Sequence, residues 1–298
     1  MSRTMLLGVA AATFLSAGAH AQQDFSAIEI EAIPVVDNLY MLLGSGGNIA
    51  LLTGEDGAFI VDTQFAPLSE KIQAAVAAAG GGQIEFVFNT HHHGDHTGGN
   101  APLRNAGATI MAHDNVQARL SSAQTSTLDG ATSPPAEPAA IPVLTYPTRM
   151  TFHWNDTTIN LSHAPNAHTD GDSIVHFTNL NAFHMGDTFL NGGFPYVDVN
   201  SNGSLDGIVA AADAVLARSN SQTRIIPGHG PLATPDDLRE YRDMLAGVRD
   251  RLRSLVDQGL SEDEVVAAGP TAAFDEQWGG GFMSGENFTR FAYRAMTN

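Results

Sequence analysis

The feature that most constrains this chain is Asn89–Gly99, NTHHHGDHTGG, which places four histidines and an aspartate in six positions. The apolar run IEFVFNT before it has the composition of a buried strand. Residues two apart on an extended segment point the same way, so His91 and His93 can share one ion, which a helix would prevent. Asp95 then lies on the near side, and the glycines let the chain turn and bring His96 round. A metal site is favoured over a tag-like accident or a solvated polar loop.

The stretch offers two donor pairs, His91 with His93 and Asp95 with His96. A single pair does not complete a catalytic zinc site, which takes about three protein ligands and a water. Further candidates stand at the ends of other apolar runs. His168 precedes SIVHF, Asp187 ends FHMGD and His229 ends RIIPGHG. Layered α/β proteins build sites from loops at strand ends. His163 lies close enough to compete with His168, and His92, which must face away, is assigned a supporting or structural role.

The order of apolar patterns indicates an α/β protein. Short strand-like runs come first, including LYMLLG, NIALLT and GAFIVDT, and strands then alternate with helical patterns. Ser204 and the pair Thr234-Pro235 are typical helix starts. Residues 123–143, rich in Ser, Thr, Ala and Pro, predict an excursion over the surface. This order favours sheet layers covered by helices on both outer sides.

Composition limits the chemistry of the site and the classes of partner. The 298 residues include no cysteine, so any metal must be held by nitrogen and oxygen donors. The formal net charge is −18, and Lys71 is the one lysine. A surface this acidic repels phosphate backbones, which argues against nucleic-acid binding.

The first 21 residues have the pattern of a secretory signal peptide. A short basic start is followed by MLLGVAAATFLSAGA, and Ala19-His20-Ala21 forms an A-x-A cleavage pattern. A membrane anchor is the alternative. The expectation is a single domain over residues 22–298, exported to the periplasm of a two-membrane bacterium or secreted, with no membrane partner after processing.

These motifs, in this order, resemble the metallo-β-lactamase superfamily. The likeness consists of His-x-His-x-Asp-His, a histidine before Thr-x-Gly-Asp, a Gly-Asp and Pro-Gly-His-Gly, between about Asn38 and Pro231. It implies a four-layer αββα sandwich with a two-metal site on one edge, and a supporting role for Asp62. The resemblance assigns His91, His93 and His168 to a first zinc ion, Asp95, His96 and His229 to a second, and Asp187 to a bridge between them.

The resemblance implies hydrolysis by water activated between two Zn²⁺ ions. The ions bring four positive charges and Asp95 and Asp187 only two negative ones, so a bridging hydroxide fits the remaining charge. Metal binding lowers the pKa of water toward about 7. Asp95 is the candidate catalytic residue, because it can orient this nucleophile and later carry a proton.

Export favours β-lactam ring hydrolysis, since β-lactams act outside the cytoplasm. The best-known zinc β-lactamases, however, have a cysteine where this chain has Asp187, and a lysine that binds the antibiotic carboxylate where it has Leu190. Lactone hydrolysis and glyoxalase-type thioester hydrolysis therefore stay open, as does a zinc-binding protein without turnover. The expected partner is a small molecule with a cyclic amide, ester or thioester.

Overall fold

The computed structural model describes residues 24–297 as two β-sheets packed face to face, with helices against both outer faces. This confirms the expected α/β fold with four layers. The predicted export signal and its processing site, residues 1–21, lie outside the described residues. Within residues 24–297, every helix is too short or too polar to cross a lipid bilayer.

The first sheet has seven strands. In chain order they are β1 Glu31–Val36, β2 Leu39–Leu43, β3 Ile49–Leu52, β4 Ala58–Val61, β5 Ile84–Asn89, β6 Thr109–His113 and β9 Leu144–Tyr146. They lie side by side in this same order. The strands β1 to β4 pair antiparallel, whereas β4, β5, β6 and β9 pair parallel. In the parallel half the carboxyl ends meet at one edge, where layered α/β folds place their ligands.

The second sheet has five strands, again adjacent in chain order. They are β10 Arg149–Trp154, β11 Thr157–His163, β12 Ser173–Phe177, β13 Ala182–His184 and β14 Arg224–Ile226. All neighbours are antiparallel except β13 and β14, which are parallel. The segments after β13 and β14 therefore leave the sheet at the same edge, and they carry Asp187 and His229.

The two helix starts that the sequence predicts, after Ser204 and at Pro235, are confirmed. In chain order the helices are α1 Ser69–Ala78, α2 Gly94–Thr97, α3 Asn100–Asn105, α4 Asp114–Leu120, α5 Leu205–Leu216, α6 Pro235–Asp257, α7 Glu262–Ala267, α8 Asp275–Trp278 and α9 Gly285–Thr297. The Ser204 side chain accepts a hydrogen bond from the Gly207 amide and caps α5. Thr234 and Asp237 form a capping box on α6, whose first residue is Pro235.

Three apolar clusters separate the four layers. The middle cluster joins the inner faces of both sheets, as where Phe59 of β4 meets Phe177 of β12 edge-on. A second cluster packs the outer face of the first sheet against α1, through residues such as Ile72. The third packs the second sheet against α5, α6 and α9, with Tyr241 fully buried. Burial on both sides of each sheet holds the strand edges in fixed relative positions.

Two segments differ from or refine the predictions. The edge strand β1, which contains Pro34, was not assigned from the sequence; it is mostly exposed and lacks a clean alternation of polar and apolar residues. The predicted excursion over residues 123–143 is confirmed as a largely irregular surface segment. It contains a hairpin whose strands have two residues each, β7 Gln124–Thr125 and β8 Thr132–Ser133, and a 3-10 turn, Pro138–Ala140.

Candidate metal centre

One group of donors lies just beyond the end of β5. The ring nitrogens of His91, His93 and His168 fall within 4.8 Å of one another. His168 reaches this point from the loop between β11 and β12, and its Nε2 lies 2.9 Å from His93 Nδ1. The chain bends at residues 90–92 and is extended at His93, and the rings of His91 and His93 converge, as their spacing predicts.

A second group lies beside it and consists of Asp95, His96 and His229. His229 Nε2 is 3.3 Å from Asp95 Oδ2 and 3.2 Å from His96 Nε2. The extended-chain reason for placing Asp95 is wrong, because Asp95 and His96 belong to the helical turn α2. The first turn of a helix, rather than a continued strand, aims both side chains at the centre.

Asp187 stands between the two groups. Its Oδ1 is 3.1 Å from His96 Nε2 and 3.4 Å from His229 Nε2. Its Oδ2 faces the other group, 3.7 Å from His168 Nε2 and 4.0 Å from His91 Nε2. With one oxygen toward each group, this carboxylate can be shared by two ions.

The nitrogen and oxygen atoms that face the middle of the two groups fit divalent metal ions. His91 Nε2 is buried and has no hydrogen-bond partner among residues 24–297, although a buried polar atom is normally paired. Nitrogens of His93 and His168 face each other at 2.9 Å. Neutral imidazole nitrogens with carboxylate oxygens and no thiolate are ligands that suit zinc and similar ions. The described residues therefore contain two adjacent His/Asp groups, each able to hold a metal.

Asp62 supports both groups from behind. Its Oδ2 accepts hydrogen bonds from His96 Nδ1 and Thr90 Oγ1, each at 2.8 Å, and its Oδ1 accepts from the Thr90 amide. Because the Thr90 hydroxyl gives its hydrogen to Asp62, its oxygen accepts from His91 Nδ1 at 3.0 Å. The outer nitrogens of His91 and His96 thus carry protons, and their inner nitrogens face the middle of the site, where a metal would bind them.

Asp198 holds a proton on the outer nitrogen of His93 in the same way, and the sequence did not indicate this residue. His93 Nε2 lies 3.1 Å from Asp198 Oδ2, which also accepts from Ser201 Oγ at 2.6 Å. His168 Nδ1 donates to the Tyr196 carbonyl at 2.7 Å. Asp198 is 105 residues from His93 in the chain, and no local motif connects the two. Only the folded arrangement of the loop after Asp187 brings them together.

Burial and charge divide the histidines into two kinds. Burial lowers the pKa of His91 well below its ordinary value and that of His168 to about 4. Burial opposes protonation of His96 as well, but nearby carboxylates, Asp187 first among them, outweigh it and raise its pKa well above the ordinary value. His91 and His168 are therefore neutral at pH 7, in the form that binds a metal.

The second group has a strong affinity for positive charge. Burial again opposes protonation of His229, yet Asp187 and Asp95 raise its pKa to about 9. Burial favours the neutral acid at Asp187, but His229 and His96 hold its pKa well below the ordinary value. Two carboxylates in a buried site thus favour a bound cation, whether that cation is a proton or a metal ion.

Two glycines let the backbone approach the donors closely. A Cβ on Gly47 would lie 2.1 Å from His96 Cε1, and one on Gly228 would lie 2.1 Å from Asp187 Oδ1. Both distances are far shorter than any real contact between such atoms. Glycine at these positions is therefore a packing requirement of the site.

Other histidines named in the sequence analysis lie outside the two groups. His163 stacks on His113 with ring centres 3.7 Å apart, and its Nε2 lies 2.8 Å from the Asp170 carbonyl oxygen. It therefore does not compete with His168. His92 lies next to His93 and Asp198, close to the centre but in neither donor group.

A cavity of about 850 Å³ opens above the donors. Its floor includes Asp95, Asp187 and His229, and its walls come from the excursion and from the loops that follow β13 and α8. Tyr196 lines it, but its hydroxyl lies 3.2 Å from Asp198 Oδ1 and also contacts Thr127 Oγ1. The Tyr196 hydroxyl therefore connects the excursion to Asp198, the hydrogen-bond partner of His93. A cavity of this size accommodates a small molecule.

Comparison with known proteins agrees with the motifs. The family model described as Metallo-beta-lactamase superfamily matches residues 42–249. A hydroxyacylglutathione hydrolase from Polaromonas sp. is 30% identical over 164 residues, 55% of this chain and 55% of that protein. One from Nitrosococcus oceani is 29% identical over 164 residues, with the same two shares. The chain spans about half the length of the curated relatives it matches.

Solved structures share the fold at low sequence identity. The sec-alkylsulfatase Pisa1 from Pseudomonas sp. superposes with a TM-score of 0.70 at 14% identity, over 90% of this chain and 50% of that chain. A metallo-beta-lactamase from Pontibacter korlensis gives a TM-score of 0.59 at 14% identity, over 73% of this chain and 99% of that one. Likeness at this level concerns the architecture alone.

Proposed function

The chain belongs to the metallo-beta-lactamase superfamily, and from this premise we propose that it is a zinc-dependent hydrolase of small acyl compounds. The observation that carries the proposal is the position of Asp187, with one oxygen toward each donor group on the floor of an open cavity. The first ion would bind His91, His93 and His168, and the second Asp95, His96 and His229. The number and identity of the ions are part of the proposal.

The proposed reaction adds water across a carbonyl–heteroatom bond. The water oxygen bonds to the carbonyl carbon, the bond to oxygen, sulfur or nitrogen breaks, and the departing atom takes a proton. Bound zinc ions would supply Lewis acidity and lower the pKa of water. Asp95 lines the cavity, and although burial opposes its ionisation, His96 and His229 lower its pKa to about 2. It is therefore a carboxylate at neutral pH that can accept a hydrogen bond from water and orient it.

Several observations favour an ester, lactone or thioester over a β-lactam. Leu190 lines the cavity three residues after Asp187, at the position where the best-known zinc β-lactamases carry the lysine that binds the antibiotic carboxylate. The curated relatives carry the name hydroxyacylglutathione hydrolase, which denotes a thioester hydrolase. The β-lactam expectation stays a prediction, tested beside the others. A site for storing zinc would gain nothing from an open cavity or a shared carboxylate.

One experiment tests the function. Purified protein supplied with zinc is assayed on an aryl ester, a lactone, a thioester and a chromogenic cephalosporin, with metal content measured on the same sample. We expect hydrolysis of at least one of the first three, abolished by a chelator and restored by zinc. A rate indifferent to the chelator would contradict the mechanism. Bound zinc with no turnover of any substrate would favour the non-catalytic alternative.

We further propose that the protein is exported, on the strength of its N-terminal sequence. Expression of the full chain in a two-membrane bacterium should yield a periplasmic product that begins at Gln22 after cleavage at Ala21. N-terminal sequencing of the product and fractionation of the cells measure this. An uncleaved product in the cytoplasm would contradict it.

A further inference from the structure

The mouth of the cavity is apolar and exposed. The described residues include few large hydrophobic side chains that are exposed to solvent. These are Leu43, Leu128, Val143, Leu144 and Phe282. Two of them, Leu128 at 44% and Phe282 at 76% exposure, line the cavity from opposite segments of the chain. Leu190 adds apolar surface deeper in the same cavity. Exposed apolar side chains at the rim of a site commonly mark the surface that a ligand covers.

In the part of the chain that the structure describes, the same cavity has no uncommitted cationic side chain for an anionic substrate. Among the described residues that line it, Arg119 is the only lysine or arginine. Its Nε and Nη2 donate to the two oxygens of Asp170 at 2.7 Å and 2.6 Å, and its Nη1 donates to Gln124 Oε1 at 3.1 Å. A bidentate pair of this kind neutralises the guanidinium and fixes its direction. Arg119 is therefore engaged with the protein.

The remaining charge around the cavity is acidic. Glu137 and Asp198 line the walls in addition to the carboxylates of the two donor groups, and the whole chain carries a net charge of −18. A carboxylate on the substrate, away from its reacting carbonyl, would meet apolar or like-charged surface. Removing it from water without a partner is unfavourable.

We propose that the cavity selects uncharged acyl compounds with an apolar acyl chain, and that Leu128 and Phe282 are the residues that determine this specificity. This inference rests on the proposed hydrolase function and adds the substrate class. The acyl chain lies between the excursion and the loop after α8, where it covers Leu128 and Phe282. Each methylene removed from water there raises kcat/KM.

A matched pair of esters isolates this property. In 4-nitrophenyl pentanoate and mono-4-nitrophenyl glutarate the leaving group and the length of the acyl chain are the same, and only the terminal methyl is replaced by a carboxylate. Both meet the same metal centre. We expect kcat/KM to be at least about tenfold higher for the pentanoate. Along the acetate, butanoate and hexanoate esters, kcat/KM should rise about two- to fourfold per methylene.

Two lysine variants provide the matched test in the protein. Leu128→Lys adds a cation inside the cavity, and we expect it to lower kcat/KM for the pentanoate and raise it for the glutarate, so that their ratio shrinks at least about fivefold. Leu144 is also 44% exposed but lies on β9 and does not line the cavity. Leu144→Lys adds the same charge outside the site and should leave the ratio unchanged.

The outcomes separate the inference from the function on which it rests. If neither ester, nor any other acyl substrate, is hydrolysed in a chelator-sensitive way, the proposed function fails. If hydrolysis is chelator-sensitive but the glutarate is as good a substrate as the pentanoate, the function stands and the inference is overturned. An equal change of the ratio in Leu128→Lys and Leu144→Lys would likewise overturn it, as would a flat dependence on chain length.

Discussion

His93 Nε2 lies 3.1 Å from Asp198 Oδ2, so a donor at the edge of the first sheet is held by the loop that follows Asp187. Asp198 also lies within hydrogen-bond distance of the hydroxyls of Ser201 and Tyr196. The hydrogen bond fixes the tautomer of His93 and directs its Nδ1 toward His91 and His168. Carboxylates in this role raise the basicity of a metal-binding histidine.

Asp198→Asn should therefore weaken metal binding while the fold is retained. The amide keeps the size of the side chain but removes its charge, and we expect about a tenfold loss of zinc affinity. Competition with a chelating dye measures this without reference to activity. Asp206→Asn, on the exposed side of α5 where Asp206 pairs with Arg249 and Arg253, is the control and should bind zinc normally. Equal affinities in the two variants would contradict the role of Asp198.

Asp62→Asn should destabilise the protein even without metal. Asp62 is fully buried, accepts hydrogen bonds from His96 and Thr90, and has a φ of 67°, a conformation that asparagine tolerates. The substitution removes a buried charge from this network without forcing the backbone to move. We expect the free energy of unfolding to fall by about 2 to 4 kcal/mol, measured by denaturant titration of metal-stripped protein. An unchanged midpoint would show that Asp62 is not a structural support.

The metal-stripped protein should lose stability as pH rises. The folded protein raises the pKa of His229 to about 9, above the ordinary value of about 6.5. The folded state therefore binds a proton that the unfolded chain loses first. The resulting stabilisation is complete below about pH 6.5 and disappears as pH rises through about 9.

Because the His229 side chain is 34% exposed, solvent screening reduces its contribution to the free energy of unfolding to about 1 kcal/mol. Denaturant titrations at pH 6.5 and pH 9.5 measure it. His229→Gln should flatten the pH dependence, whereas His153→Gln, on an exposed strand position, should not. Zinc affinity should rise over the same interval, because the metal displaces the proton. Affinity that falls between pH 6.5 and 9 would contradict this account.

Gly228→Ala should disturb the centre through Asp187. The added methyl group would lie 2.1 Å from Asp187 Oδ1 and 2.5 Å from the carbonyl carbon of Gly186, so the carboxylate and the backbone before it must shift from their positions. We expect at least about a tenfold loss of zinc affinity. Gly280→Ala is the matched control, because a Cβ there meets nothing within 4 Å. Normal zinc binding by Gly228→Ala would mean that the position of Asp187 is not essential.

The sequence could predict the parts of the site that depend on local geometry. Spacing along an extended chain is enough to pair His91 with His93, and strand ends followed by glycine indicate Asp187 and His229. Parallel pairing of β4 with β5 and of β13 with β14 then carries these residues to neighbouring edges. Secondary structure is encoded largely over short stretches, and the order of its elements indicates the fold class.

Other parts depend on contacts between distant segments, which local patterns do not encode. The choice between His168 and His163 is decided by the stacking of His163 on His113, on a neighbouring element. Asp198 supports His93 across 105 residues. The placement of Asp95 on an extended chain was wrong for the same reason. The chain begins a helical turn at Gly94, and this turn packs against the loop after β4, which is distant in sequence.

The most direct test of the central claim is the amount of zinc bound per chain, measured by elemental analysis after dialysis against a zinc buffer. The account predicts two ions in the wild-type protein, fewer in His93→Ala and in Asp187→Ala, and two in His153→Ala. We also expect His93→Ala to hydrolyse its substrate at least about a hundredfold more slowly than the wild-type protein. Wild-type protein that stays empty in zinc, or His93→Ala with full zinc content and full activity, would contradict the account.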